Sequence, residues 1–261
     1  DRERFRQQVG TALRHLVQHG LENGRYQPAI QHAQRLLALD PLDEAAQRQM
    51  MLLLARSGQR SAALTQYESC RRLLDEELGV PPMPETTALY TRIHAAHATA
   101  LTNLPSQPTP FVGREVELRD LRRQLANPAT RLLTILGPGG MGKTRLALQA
   151  ARLVAKQQAG MFLNGIRFVP LAPLNDPRFL LNAIADGVWL TLSGQSEPQQ
   201  QLISFLQDKE LLLILDNVEH LLEQPHHITT VLQTILDAAP DTTLMLTSRV
   251  RLNLHEEWVF D

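Results

Sequence analysis

Eight residues, Gly137–Thr144, read GPGGMGKT and satisfy the spacing G-x-x-x-x-G-K-[ST]. That spacing serves polyphosphate binding. Gly137, Gly139, Gly140 and Gly142 let backbone N–H groups turn inward without side-chain clashes, Pro138 and Met141 complete the loop, and a following helix N-terminus adds partial positive charge. Lys143 is expected to reach the β- and γ-phosphates as a point charge, the Thr144 hydroxyl to ligate Mg²⁺, and Arg145 to stand beside the bound nucleotide. The metal needs an acid on its other side, and Asp216 closes the apolar run LLLILD in the required manner. Asn217 follows, at a position where many ATPases place a glutamate that activates water. Glu219 is a candidate to act in its place, although a solvated glutamate at the start of a helix reads equally well, so the base stays unassigned. A further apolar run, TLMLTS, ends beside Arg249. If its strand lies between the phosphate-loop strand and the Asp216 strand, Thr247, Ser248 and Arg249 project toward the γ-phosphate and Arg249 senses its presence. Otherwise it is a surface arginine at a strand end.

Several elements must hold these groups. RLLTIL (131–136), GIRFVPLA (165–172), LLLILD (211–216) and TLMLTS (243–248) are short apolar runs of buried-strand type. Helical stretches near 114–126, 143–158, 176–187, 198–208 and 218–239 lie before and between them. The alternation predicts an α/β domain with a parallel sheet covered by helices. Ahead of it, NLPSQPTP (103–110) reads as an interdomain linker. Residues 1–102 carry no strand signal. Helical spacing recurs near 3–22, 26–39, 43–56, 60–77 and 85–101, an all-α domain. Gly24 and Gly58, Ala29 and Ala63, and Ile30 and Leu64 recur at the period of about 34 residues of tetratricopeptide repeats. Glycine ends one helix of each pair, and the small alanine lets the next pack closely. The second copy degenerates after Leu73. The expected division is therefore 1–102, 103–110 and 111–261.

Lys and Arg, at 26, nearly cancel Asp and Glu, at 27, so no overall field draws the chain to nucleic acid or an anionic membrane. The single cysteine, Cys70, makes no internal disulfide and reads as a small apolar residue between helices. With no secretory segment or membrane-length apolar run, a cytoplasmic protein is expected. The chain starts at Asp1 and reads as a fragment of something longer. His15 and His19 share a helix face without the glutamate of a zinc-protease helix, and His226 and His227 point apart if helical, so no histidine metal site is expected. Arg71, Arg72, Arg122 and Arg123 read as solvated pairs rather than a nucleic-acid surface.

Four segments, FVGREVEL (111–118), GPGGMGKTRLALQAA (137–151), LLLILDNVEHL (211–221) and TLMLTSRVRL (243–252), together resemble the nucleotide-binding module of the STAND ATPases, the group related to NB-ARC domains. The helical region, above all GRYQPAIQHAQRLLALDPLDEAAQ (24–47), is similar to the bacterial transcriptional activator domain of the antibiotic regulatory protein family. The resemblance implies a switch bound to ATP or ADP with Mg²⁺ that hydrolyses slowly, and protein partners or self-association through both domains. DNA would be contacted only by a domain outside these residues. It also implies that Phe111, Val112, Gly113 and Arg114 lie against the adenine, and that a C-terminal nucleotide-contacting segment lies beyond Asp261. A metabolic ATPase or small-molecule kinase, and a tetratricopeptide scaffold with a vestigial nucleotide site, are the alternative readings.

Overall fold

The computed structural model describes residues 2–95, 102–157, 161–194, 196–223 and 225–261. The chain divides into two compact units, one helical and one α/β.

The helical unit is a run of antiparallel neighbours: α1 (Arg2–Glu22), α2 (Tyr26–Leu39), α3 (Glu44–Arg56), α4 (Arg60–Leu78) and α5 (Pro84–Ala95). Helix α2 buries Ala29, Ile30, Ala33 and Leu36, one face at helical spacing. The close approach expected of Ala29 is made with Gly20 of α1, where an added Cβ would come within 2.3 Å of the Ala29 Cβ. The repeat is visible in backbone chemistry. Arg25 N–H donates to Gly20 O at 2.9 Å, and the equivalent bond, Gln59 N–H to Leu54 O at 2.8 Å, recurs one repeat later. Gly24 (φ 66°) and Gly58 (φ 83°) supply the left-handed turn that both bonds need. Asp43 caps α3 by accepting from Ala46 N–H at 3.0 Å. The next residue, Glu44, is buried and holds the start of α5 by accepting from Met83 N–H at 2.9 Å and from Thr86 Oγ1 at 2.7 Å. Cys70 is buried at 2% exposure, and desolvation, with Glu44 adding to it, pushes its thiol up to about 11. The apolar reading of that residue holds.

In the α/β unit five parallel strands run in the order β2-β3-β4-β1-β5: β1 (Leu132–Leu136), β2 (Ile166–Pro170), β3 (Leu211–Asp216), β4 (Thr242–Ser248) and β5 (Glu257–Phe260). The order satisfies the condition set on TLMLTS: β4 pairs with β1 on one side (Leu136 opposite Ser248) and with β3 on the other (Leu215 opposite Leu246). Four strands fall where apolar runs predict them. β5 was not anticipated, because EWVF is short and only half buried. The connecting helices are α6 (Glu115–Leu125), α7 (Lys143–Gln157), α8 (Leu180–Gly187), α9 (Pro198–Leu206) and α10 (Pro225–Ala238). The single helix expected over 218–239 is two pieces, a 3₁₀ segment (Glu219–Glu223) and α10, with Pro225 at the start of the second. A core of leucine, isoleucine and valine from β2, β3 and β4 packs against α8, α9 and α10.

The proline-bearing segment 103–110 lies along this unit. Asn103 bonds both polar groups of Phe168 in β2, and Gln107, Thr109 and Pro110 are tied to Arg145 in α7. Among the described residues no helix is long and apolar enough to cross a membrane.

Candidate functional site

The site forms at the C-terminal ends of β1, β3 and β4, where an α/β sheet leaves strand ends and helix N-termini facing one crevice. β1 ends at Leu136, the loop 137–142 follows, and α7 begins at Lys143. Gly140 (φ 81°) and Gly142 (φ 82°) take left-handed conformations that L side chains rarely adopt. Gly139 is restricted by a neighbour instead: an added Cβ would lie 3.1 Å from a guanidinium nitrogen of Arg249. Gly137 N–H donates to Ser248 O at 3.2 Å, which ties the start of the loop to the end of β4. Lys143 Nζ donates to the carbonyl oxygens of Gly137 (2.7 Å) and Pro138 (3.1 Å), so the ammonium arches over the loop. Met141 is exposed on its rim.

Across the crevice, Asp216 Oδ1 accepts from Thr144 Oγ1 and from Thr247 Oγ1, each at 2.6 Å. The ends of β3 and β4 and the start of α7 thus meet at one carboxylate oxygen. Thr247 Oγ1 in turn accepts from Asn217 N–H at 2.8 Å, so the loop after β3 is pinned to β4. Arg249 Nε pairs with Glu219 Oε1 at 2.9 Å, while Glu219 Oε2 is buried with no hydrogen-bond partner among the described residues. Of the residues chosen by spacing, Gly137, Gly139, Lys143, Thr144, Asp216, Glu219 and Arg249 are therefore linked through direct contacts.

Three others are placed differently. Val112 is 87% exposed. Arg114 sits in a left-handed conformation (φ 58°) at the start of α6, its carbonyl accepting from Leu118 N–H. The Arg145 guanidinium donates to the carbonyls of Thr109 and Pro110, both at 3.1 Å, and lies 5.9 Å from the Phe111 ring centre, so it secures the segment leading into Val112. The sequence reading missed His220. Its Nδ1 lies 3.2 Å from Asn217 Nδ2, and its Nε2 3.0 Å from Leu174 O. The available signal was the spacing of DNVEH, which puts Asn217 and His220 three apart.

The site fits a nucleotide. The loop carries left-handed glycines at 140 and 142, an ammonium at the helix start rests on the loop carbonyls of Gly137 and Pro138, and a hydroxyl beside a carboxylate suits a hard cation that keeps most of its water. Among the described residues no group of three or more His, Cys, Asp or Glu could hold a metal ion by itself. The side chains of His226 and His227 lie outside the described residues.

The family model of the bacterial transcriptional activator domain matches residues 1–94, and that of the NACHT domain matches residues 131–257. The chain is 29% identical over 258 residues to the regulatory protein AfsR of Streptomyces griseus, covering 89% of this chain and 25% of that protein. It is 28% identical over 264 residues to AfsR of Streptomyces coelicolor, again 89% and 25%. An uncharacterized protein of Mycobacterium tuberculosis is 33% identical over 149 residues, 57% of this chain and 36% of its own length. The chain spans about a quarter of the length of the two AfsR relatives.

Proposed function

Because the chain joins a bacterial transcriptional activator domain to a NACHT P-loop NTPase domain, we propose that its α/β part, residues 111–261, binds ATP or ADP with Mg²⁺ as a slowly hydrolysing switch inside a transcriptional regulator. Residues 1–102 are the helical domain that presents the state of the switch to protein partners or to another copy, and 103–110 join the two. Contact with DNA belongs to a part of the regulator outside these residues, in keeping with the near-zero net charge.

The observation that carries this reading is the convergence of Thr144 and Thr247 on Asp216 Oδ1 beside the glycine loop. In this reading the N–H groups of 137–144 cradle the phosphates and Lys143 leaves the loop carbonyls for the β- and γ-oxygens. Thr144 and Asp216 hold Mg²⁺, which when bound neutralises charge on the phosphates. Val112 and Arg114 line the base, Arg145 holds their segment in place, and Arg249 reports the γ-phosphate. Each of these groups binds or orients and none removes a proton readily, which suits a state that must last long enough to be read.

The test is nucleotide affinity, by calorimetry or fluorescent-nucleotide displacement with Mg²⁺. Lys143→Ala removes a charge that touches phosphate and no core group, so the dissociation constant should rise about 10- to 100-fold, the loss of one charged hydrogen-bonding group. The far-UV circular dichroism should stay as in the wild type. Equal affinity in the two proteins would overturn the assignment.

A further inference from the structure

His220 belongs to no role assigned above, yet it is placed to decide the chemistry of its neighbour. We propose that His220 is a positioning residue that fixes the Asn217 amide with its oxygen presented to the site, and that Asn217 Oδ1 there orders the water attacking the γ-phosphorus. The proposal rests on the nucleotide reading and adds to it a source of water orientation in a loop that has asparagine rather than a carboxylate directly after Asp216.

Leu174 lies in the turn that follows β2. Its carbonyl oxygen faces His220 Nε2 at 3.0 Å. A carbonyl only accepts, so Nε2 carries the proton. In the neutral ring Nδ1 is then a bare lone pair, and the group 3.2 Å from it must be a donor. That assigns the Asn217 branch facing His220 as Nδ2. The amide plane is fixed as a result, and Oδ1 is the end turned away from the ring. Its backbone is fixed too: Asn217 holds a left-handed conformation (φ 67°) with its N–H on Thr247 Oγ1, and that hydroxyl donates to Asp216 Oδ1. The amide oxygen is thus carried by the first residue past the metal-side carboxylate and is held from both its backbone and its side chain.

The neighbouring carboxylate, Glu219, pairs through Oε1 with Arg249 at 2.9 Å. An amide oxygen accepts a hydrogen bond from water but does not take its proton at neutral pH. In the step that follows, the water oxygen bonds to the γ-phosphorus, the bond to the β,γ-bridging oxygen breaks with its electron pair staying on ADP, and the water proton passes to a phosphate oxygen. Asn217 lowers the entropic part of that barrier by orientation and leaves the proton transfer unassisted.

Two substitutions separate this role from plain anchoring of the turn at Leu174. In His220→Asn the side-chain oxygen replaces the acceptor at Nδ1, whereas in His220→Gln the amide nitrogen replaces the donor at Nε2 and the acceptor is lost. Single-turnover hydrolysis at saturating Mg²⁺ATP should fall about tenfold in His220→Gln and stay within about threefold of wild type in His220→Asn, with nucleotide affinity unchanged in both, as expected for one orienting hydrogen bond. Asn217→Ala should be as slow as His220→Gln, and the double variant no slower. Independently of turnover, ring ¹⁵N spectra of the wild-type chain should show His220 as the Nε2–H tautomer. The proposal is overturned by an Nδ1–H tautomer, by the opposite order of the two His220 variants, or by additive losses in the double variant. Failure to bind nucleotide at all would instead remove the underlying reading.

Discussion

Gly142 and Gly139 are needed for different reasons. Gly142 stands at φ 82°, and among the described residues no atom beyond its two chain neighbours lies within 4 Å of an added Cβ, so space is free and only the backbone objects. The left-handed conformation costs an L-residue about 1–2 kcal/mol. Gly142→Ala is therefore expected to lower the melting temperature of the α/β part by roughly 2–8 °C and to weaken nucleotide binding, as differential scanning calorimetry with and without Mg²⁺ATP would show; an unaltered melting temperature would contradict the strain argument. At Gly139 the conflict is with the Arg249 guanidinium, the far end of a flexible and half-exposed side chain. A methyl group there costs little stability and instead displaces Arg249 from Glu219. Both glycines were legible in the motif, but which was needed for its conformation and which for its neighbour was not.

Among the elements, α5 depends on one carboxylate. Its first turn would leave Met83 N–H and the Thr86 hydroxyl without that acceptor were Glu44 not buried beneath them. Arg48 adds a bond to the same Thr86 oxygen at 3.0 Å. Glu44→Ala removes a charged acceptor from a buried place, a loss of about 1.5–3 kcal/mol, while Glu44→Gln keeps one acceptor oxygen and should lose less. Thermal unfolding of the helical signal measures the difference, and Mg²⁺-nucleotide affinity should be the same in both variants, because Glu44 lies in the helical unit. The helices themselves were readable, since amphipathic spacing and left-handed glycines are local features. The Glu44 cap was not, because its two ends are some forty positions apart in the chain and nothing in the run EAAQRQMM announces a partner at Met83.

At the scale of the whole molecule, slow turnover is the expected behaviour. Phosphoryl transfer gains most from a strong water-activating group and from positive charge supplied to the γ-phosphate, and an arginine provided from outside contributes about 10³–10⁵ in rate. Within this chain Asn217 is no base, and Arg249 is held by Glu219. A residue that reads the ground state as well as the transition state adds nothing to the chemical step. Single-turnover hydrolysis is expected on the order of 10⁻² per second or slower, and a rate near 10 per second would favour the metabolic-enzyme reading. The sequence alone determined the helical repeat, the strand–helix alternation, the glycine loop between strand and helix and the aspartate that closes LLLILD, because periodicity, glycine spacing and apolar runs act within a few residues of one another. Only the tertiary structure decided that β4 stands between β3 and β1, and with it that Thr247 and Thr144 share Asp216 Oδ1, that Arg249 meets Glu219, and that His220 Nδ1 lies against the Asn217 amide. Those partnerships depend on the order in which distant strands are laid side by side, and on which nitrogen of a ring faces a carbonyl from another loop, neither of which is encoded in local spacing.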